Sequence, residues 1–280
     1  MVRRAGMENK NSKVALAREL GVSRAALYYQ PKRPGKDESL RDQILATLDE
    51  HPAYGHRRVA LALKINHKRA SRVMRLYHIR PAIVRSSKYR YAKAKDIVNG
   101  PTPHRLKERC PIQPDAVWVG DFTYWWFHGH YIYLATVMDY FTREIIAWQI
   151  GLHHTSRLVV DVLAEAMRKR QTTPELFHSD QGSEYTGQEC VGWLIRHHIL
   201  PSNSPKGKPW NNGRQESFYS GFKLEFGKPQ RYATLELLIE AIGRHIHYYN
   251  SKRIHSRLKM SPQAFYKKTK YPARSGTGGV

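Results

Sequence analysis

The chain has 280 residues, 41% of them hydrophobic and 11% aromatic, which is enough for a packed core and richer than disordered chains. Lys and Arg number 47 against 23 Asp and Glu, a net charge of +24 that points to a polyanion partner, nucleic acid being the commonest. No run approaches the ~20 apolar residues of a membrane span, "MVRRAGMENKNSK" has no apolar signal-peptide stretch, and the two cysteines, Cys110 and Cys190, cannot build a disulfide framework or a CxxC zinc knuckle; a reduced cytoplasmic setting is expected.

The charge is unevenly spread. Residues 1–114 carry 26 Lys and Arg against 9 acids, residues 115–200 carry 6 against 10, and residues 201–280 carry 15 against 4. Two basic arms flank a mildly acidic middle. That is the distribution of an enzyme that grips a polyanion with its flanks and holds cations at its centre.

In chain order, "KVALARELGVSRAALYY" (13–29) predicts two short helices around Gly21, with Ala15, Leu16 and Leu20 on one face and Ser23 as an N-cap. This is a helix-turn-helix over 1–30, with Arg24 as a DNA contact; an ordinary helical hairpin is the alternative. "PKRPGKDE" marks a linker, 31–39. A second helical module, 40–79, follows. Leu40, Ile44, Leu45 and Leu48 recur at helical spacing, Val59 and Leu63 continue the pattern, and Asn66 caps a helix whose Val73, Leu76 and Tyr77 turn inward. Lys68, Arg69, Arg72 and Arg75 on its other sides, with Arg57 and Arg58 before it, are all of one sign, which suits DNA better than a merely solvated face. Residues 80–114 read as an extended basic linker along a phosphate backbone.

From 116 the pattern changes to strands: "AVWVGDFTYWWF", "HYIYLATVMDY" and "REIIAWQIG" at hairpin distances, then a helix over 156–170 with Ser156 as N-cap, a strand in "ELFHSD", a helix in "GQECVGWLIRHH", a strand in "ILPSNS" and a helix near 211–225. The order β-β-β-α-β-α-β-α predicts an α/β domain over 115–270 built on a mixed sheet, with a disordered tail at 271–280. Leu235, Leu238, Ile242, Ile246 and Tyr249 form a core stripe.

Three acids interrupt this pattern. Asp121 shares a strand face with Val117 and Val119, Asp180 ends the fourth strand, and Glu216 opens the last helix with 35 residues between it and Asp180. A carboxylate among apolar neighbours is costly unless paired or bound to a metal. If the first and fourth strands are neighbours, the aspartates lie side by side and the helix brings Glu216 to them. Hard oxygen ligands suit Mg²⁺ or Mn²⁺, and two such ions support phosphoryl displacement. Taken singly, Asp180 reads as a turn residue and Glu216 as a helix-start glutamate. Asp139, Glu144 and Glu184 are set aside from this constellation: Asp139 follows the second strand and is read as a turn or salt-bridge residue, and Glu184 is expected at the site's edge. Lys206 and Lys208 in "SPKGKP", with Asn212 and Lys223 on the face of Glu216, are further candidate DNA contacts.

These motifs, "YGHRRVALAL", "KRASRVMR", "WVGDFTY", "VMDYFTREIIAW", "FHSDQGSEY", "SNSPKGKPWNNGRQESFYSGFKLE" and "YYNSKRIHSRLKMSPQAF", run through most of the chain. The chain resembles the DDE transposases and retroviral-type integrases, and most of all the second-frame product of the copy-out/paste-in (IS-three-like) insertion sequences. The resemblance implies a ribonuclease-H-like core, a mixed five-stranded sheet with flanking helices, preceded by small all-α helix-turn-helix modules. It implies Asp121, Asp180 and Glu216 as catalytic metal ligands for two Mg²⁺ or Mn²⁺ ions, and strand cleavage and 3′-OH transfer at inverted-repeat ends. The implied partners are double-stranded element ends and target DNA, a second copy of the chain at least, and an upstream-frame protein, since no sustained leucine-zipper heptad occurs here. A bacterial, nucleoid-associated setting follows. The competing readings are a hydrolytic nuclease of the same fold and a non-catalytic DNA-binding regulator.

Overall fold

The computed structural model describes residues 17, 19–23, 33–84, 103–108, 111–205 and 213–270. Most of the first helix-turn-helix, including Arg24, lies outside them, as do Lys206, Lys208, Asn212 and the tail from 271. Gly21, at φ +62°, occupies the left-handed backbone of its turn.

Three helices form the second module: α1 (Arg33–Glu50), α2 (His56–Ala62) and α3 (His67–Leu76). α1 starts inside the stretch expected as linker. Pro34 falls in the first turn, where a missing N–H leaves no helical bond unmade, so the Pro-Gly pair does not break the helix. Asn66 caps α3 as expected, its side chain accepting from the Lys68 N–H at 2.8 Å. Leu40, Ile44, Leu48, Tyr54, Val59, Val73 and Met74 form the module's core. Leu45 and Leu76, expected inside, are 43% and 55% exposed; Leu45 sits one residue, about 100° of helical turn, from the buried Ile44, and Leu76 two residues from the buried Met74. The module is also joined to the rest of the chain. Ile254 packs on its core, the Tyr54 hydroxyl accepts from the Ile254 N–H at 2.6 Å, and His51 meets the Tyr248 hydroxyl at 2.8 Å.

The α/β part holds β1 (Val117–Phe127), β2 (His130–Asp139), β3 (Ile145–Gly151), α4 (Ser156–Arg170), β4 (Leu176–Ser179), α5 (Ser183–Thr186), α6 (Gln188–Arg196), β5 (Leu200–Asn203), α7 (Gly213–Phe226), α8 (Leu235–Ser251) and α9 (Pro262–Lys270). The sheet order is β3-β2-β1-β4-β5, with β2 antiparallel to both neighbours and β1, β4 and β5 parallel. This is the ribonuclease-H-like order. β1 and β2 close through His128 and Gly129, both at positive φ, as a two-residue hairpin with the sheet's twist requires.

The central strands bury both faces, so they read as near-continuous apolar runs. Trp118, Phe177, Leu163 and Leu194 pack between the sheet, α4 and α6; Val119, Leu134, Phe218, Phe222 and Ile242 pack between the sheet, α7 and α8. The expected stripe on α8 is core, with Leu238 and Ile242 fully buried. Two local readings shift. The cap of α4 is Thr155, whose hydroxyl accepts from the Leu158 N–H at 3.3 Å, and not Ser156. Part of the expected linker is docked: Leu106 is buried against Val117 and Leu176, and the Arg105 N–H donates to Ser202 at 3.0 Å.

His245 on α8 packs its ring on Phe222 at 4.8 Å and Phe226 at 5.8 Å. Burial pushes this imidazole down to about 4, with Glu225 opposing and Arg253 and Arg231 adding to the fall. The folded value lies below the ordinary ~6.5, so the unfolded chain takes up the proton more readily. Stability is therefore full above about pH 6.5 and falls as the pH drops toward 4, by ~1–2 kcal/mol between pH 7 and 5. Urea unfolding at the two pH values reads this, and His245→Gln shrinks the difference by about that amount, the remainder belonging to other buried imidazoles such as His178 and His255.

Candidate active site

The parallel pairing of β1 with β4 aligns Val119 with His178. Two residues further along each chain stand Asp121, within β1, and Asp180, just past the end of β4. The geometry thus brings the two aspartates level on adjacent strands. Gly120 makes this approach possible: a Cβ there would collide with the Phe177 ring tip and lie 3.2 Å from the Tyr185 ring.

Asp180 is exposed and sits in a tight turn, its carboxylate accepting from the Gly182 N–H at 2.9 Å. Asn203, at the end of β5, holds that turn from below, donating to the Asp180 carbonyl at 2.6 Å and to Ser179 at 2.9 Å. His178, fully buried, bridges Ser202 at 2.9 Å and Ser204 at 2.8 Å. Burial, then the neighbouring His104, pushes it down to about 3, so it is a neutral clamp between β4 and β5.

Glu216 is exposed in the first turn of α7. Its position is fixed by its neighbours. Gln215, fully buried, donates to the Val119 carbonyl at 2.8 Å, and Tyr219 donates to the Asp121 carbonyl at 2.7 Å while meeting Thr136 at 2.8 Å. α7 is thereby pinned to β1 at the residues flanking Asp121. Gln215 and Tyr219 were not singled out from sequence. The available signal was a polar residue, Gln215, on the helix turn that otherwise carries Phe218 and Phe222 into the core.

The acids feel one another. Burial, then Asp180, pushes Asp121 up to about 8, with Glu216 and Glu184 adding and the Phe122 N–H opposing. Burial also raises Glu216. As the side chains stand, no three of the described His, Cys, Asp and Glu residues are close enough to ligate one ion. Lys223, two turns along α7, reaches this face: its ammonium lies 3.4 Å from the Tyr124 carbonyl and 5.5 Å over the Tyr124 ring. Burial lowers it and Asp121 opposes. Glu184 folds back against Gly182, where any side chain would strike its carboxylate, and faces His154 at 3.8 Å.

The decoys resolve as structure. Asp139 is fully buried and accepts from the Thr142 N–H and hydroxyl at 2.6 and 2.8 Å. Glu144 pairs with Arg170 at 2.6 Å. Among the basic candidates, Arg57, Lys68, Arg69 and Arg75 are exposed. Arg72 is engaged elsewhere, joining α3 to α1 through a fork on Asp37 at 2.5 and 2.8 Å. Arg58 turns toward the α/β part, 3.7 Å from Glu225. Both depart from the expected DNA face because each has a carboxylate in reach that lies far away in sequence.

A mixed sheet with acids on two adjacent parallel strands and a third on a covering helix defines the class, a phosphoryl-transfer core of the integrase kind. The family models and the relatives in sequence agree. The integrase core domain family matches residues 111–209, and a second integrase core domain family matches 197–262. The transposase of insertion sequence IS904 from Lactococcus lactis is 32% identical over 84% of this chain and 98% of its own. The 31 kDa protein of insertion element IS600 from Shigella sonnei is 30% identical over 89% and 96%. The HTLV-2 integrase catalytic core, solved in complex with magnesium, is 17% identical, with a TM-score of 0.43, over 55% of this chain and 98% of that one.

The chain belongs to the DDE transposases of insertion sequences related to IS150, IS904 and IS3. It is a polynucleotidyl transferase of DNA transposition. Among the described residues no helix is long and apolar enough to cross a membrane.

Proposed function

We propose that Asp121, Asp180 and Glu216 are the catalytic acids of this transposase and the ligands of two divalent ions, Mg²⁺ or Mn²⁺. The observation that carries this is the β1–β4 pairing, with Asp121 level with Asp180 and α7 pinned to β1 beside them. The donor set fits: three hard carboxylates stand on neighbouring elements, near enough for Asp180 and Glu216 to act on Asp121, and the one cation described among them, Lys223, is turned toward Tyr124. Asp180 and Glu216 are exposed, so they close on an ion by side-chain rotation.

Bound divalent ions supply charge stabilisation and an activated oxygen for in-line displacement at phosphorus. The chain supplies position. Gln215 and Tyr219 hold α7, and Asn203 holds the Asp180 turn, so that the acids stay in register while the DNA moves through successive steps. The enzyme frees a 3′-OH at an inverted-repeat end and joins that hydroxyl to another phosphodiester, without a covalent protein–DNA intermediate. Lys68, Arg69, Arg75 and Arg57 form the DNA-reading face of the helical module, and Lys223 contacts DNA beside the acids. Because two ends must be held together, at least two copies assemble on paired ends in the bacterial nucleoid, with an upstream-frame protein as a further partner.

The test is a strand-transfer assay with a duplex whose element end is already nicked at the 3′ side, in Mg²⁺. Joined product is expected. Hydrolysis with no joining indicates a nuclease, and metal-independent binding with neither reaction indicates a regulator.

A further inference from the structure

On the other side of α7 from Lys223 lies a cleft of about 580 Å³, between α7, α8, the segment after α8 and the helical module. Five arginines line it: Arg58, Arg143, Arg214, Arg253 and Arg257. The carboxylate that lines it, Glu225, is already taken by Arg253, in a fork at 2.6–3.0 Å, and by Arg58 at 3.7 Å. Among the described residues, no ion pair engages Arg143, Arg214 or Arg257. Arg214 donates to the Tyr140 carbonyl, an uncharged acceptor.

Three lining groups hold buried nitrogens with no hydrogen-bond partner: Nη1 of Arg58, which has only the Glu225 ion pair at 3.7 Å, Nε of Arg143, a residue only 8% exposed, and Nδ1 of His255. A buried donor without an acceptor costs free energy, more so on a charged group. Arg143 also sits at φ +68°, a backbone region that a non-glycine residue rarely takes. Between β2 and β3 the chain thus holds a residue in left-handed backbone whose guanidinium lies 5.7 Å over the Tyr140 ring, in a cleft it shares with four other arginines. Unpaired buried donors of this kind are accounted for where a ligand answers them.

We propose that this cleft binds a backbone phosphodiester of DNA through Arg143, Arg214 and Arg257. Planar guanidinium forks match phosphate oxygens, and a single anion would satisfy the orphaned donors and screen the arginines from one another. The assignment rests on the transposase reading for its choice of DNA as the phosphate's source. It adds an anchor on the far flank of the helix that carries Glu216, so that DNA gripped there and at the acids spans α7.

The test is DNA affinity as a function of salt, measured by anisotropy with two short duplexes of unrelated sequence, in EDTA. Arg143→Gly relieves the backbone strain and removes the buried charge; Arg257→Gln alters an exposed side chain. Each is expected to keep the melting temperature and to make the slope of log K against log salt shallower by ~0.9, equally for both duplexes. Unchanged slopes in folded variants overturn the proposal. So does an equal change for Lys169→Gln, whose side chain pairs with Glu165 on α4 at 3.5 Å. If inorganic phosphate raises the melting temperature of the wild type but not of the variants while the slopes stay fixed, the cleft takes a free anion and the DNA assignment fails. EDTA prevents chemistry, so an error about the three acids leaves these readings untouched.

Discussion

Asp180→Asn removes strand cleavage and strand joining, on the order of 10³-fold or more, and leaves DNA binding and the melting temperature unchanged. The reasoning is local. Asparagine keeps the shape of the side chain and an oxygen to accept the Gly182 N–H, so the turn at the end of β4 survives. Asn203 still holds the backbone from below. What is lost is one negative charge beside Asp121, and with it a ligand. A merely structural Asp180 would give the opposite pattern: the variant would lose stability, and its residual folded fraction would join strands at the normal rate. Cleavage and joining on a labelled element end, together with anisotropy and thermal melting, separate the two.

Glu225→Gln costs ~3–5 kcal/mol of stability, or a melting shift on the order of 10 °C. The Glu225 side chain is 7% exposed and neutralises two arginines, Arg253 on the segment after α8 and Arg58 on α2. Glutamine leaves both guanidiniums beside a neutral group in a cleft that already holds Arg143, Arg214 and Arg257. The loss falls where the helical module meets the α/β part. Tyr54 and His51 make their contacts to Ile254 and Tyr248 in the same seam. Urea unfolding followed by tryptophan fluorescence measures the loss. Glu240→Gln is the control: its pairing with Arg244 is solvent-exposed, and its midpoint stays where it was. If both variants behave alike, the seam is not held by charge.

Elements with a strong local signal were legible in the sequence. β1 to β3 show as β-branched and aromatic runs at hairpin distances, α8 shows as a stripe, and Asn66 shows as a cap because its side chain acts on its own neighbours. The first and fourth strands could be named, and their adjacency was left as a condition; the sheet meets it. What was not legible depends on partners distant in sequence. Arg72 looks like a DNA contact until Asp37, 35 positions away, comes into reach. Arg58 likewise turns to Glu225. Gln215 carries no local sequence signal for the partner it takes, donating to the Val119 carbonyl 96 positions away. Leu76 fits a helical stripe by type, and Met74 takes the place through a phase difference of two residues. The arginine cleft could not be read at all, since its five members come from four separate stretches of chain.

The central claim is that three acids share divalent ions at the point of strand exchange. Crystals of the protein with a nicked element end, grown in Mn²⁺ and measured at the manganese absorption edge, test it most directly. The account predicts anomalous density enclosed by Asp121, Asp180 and Glu216, against the DNA 3′ end. Manganese bound elsewhere, with these three carboxylates facing solvent beside the correctly seated DNA end, would contradict it.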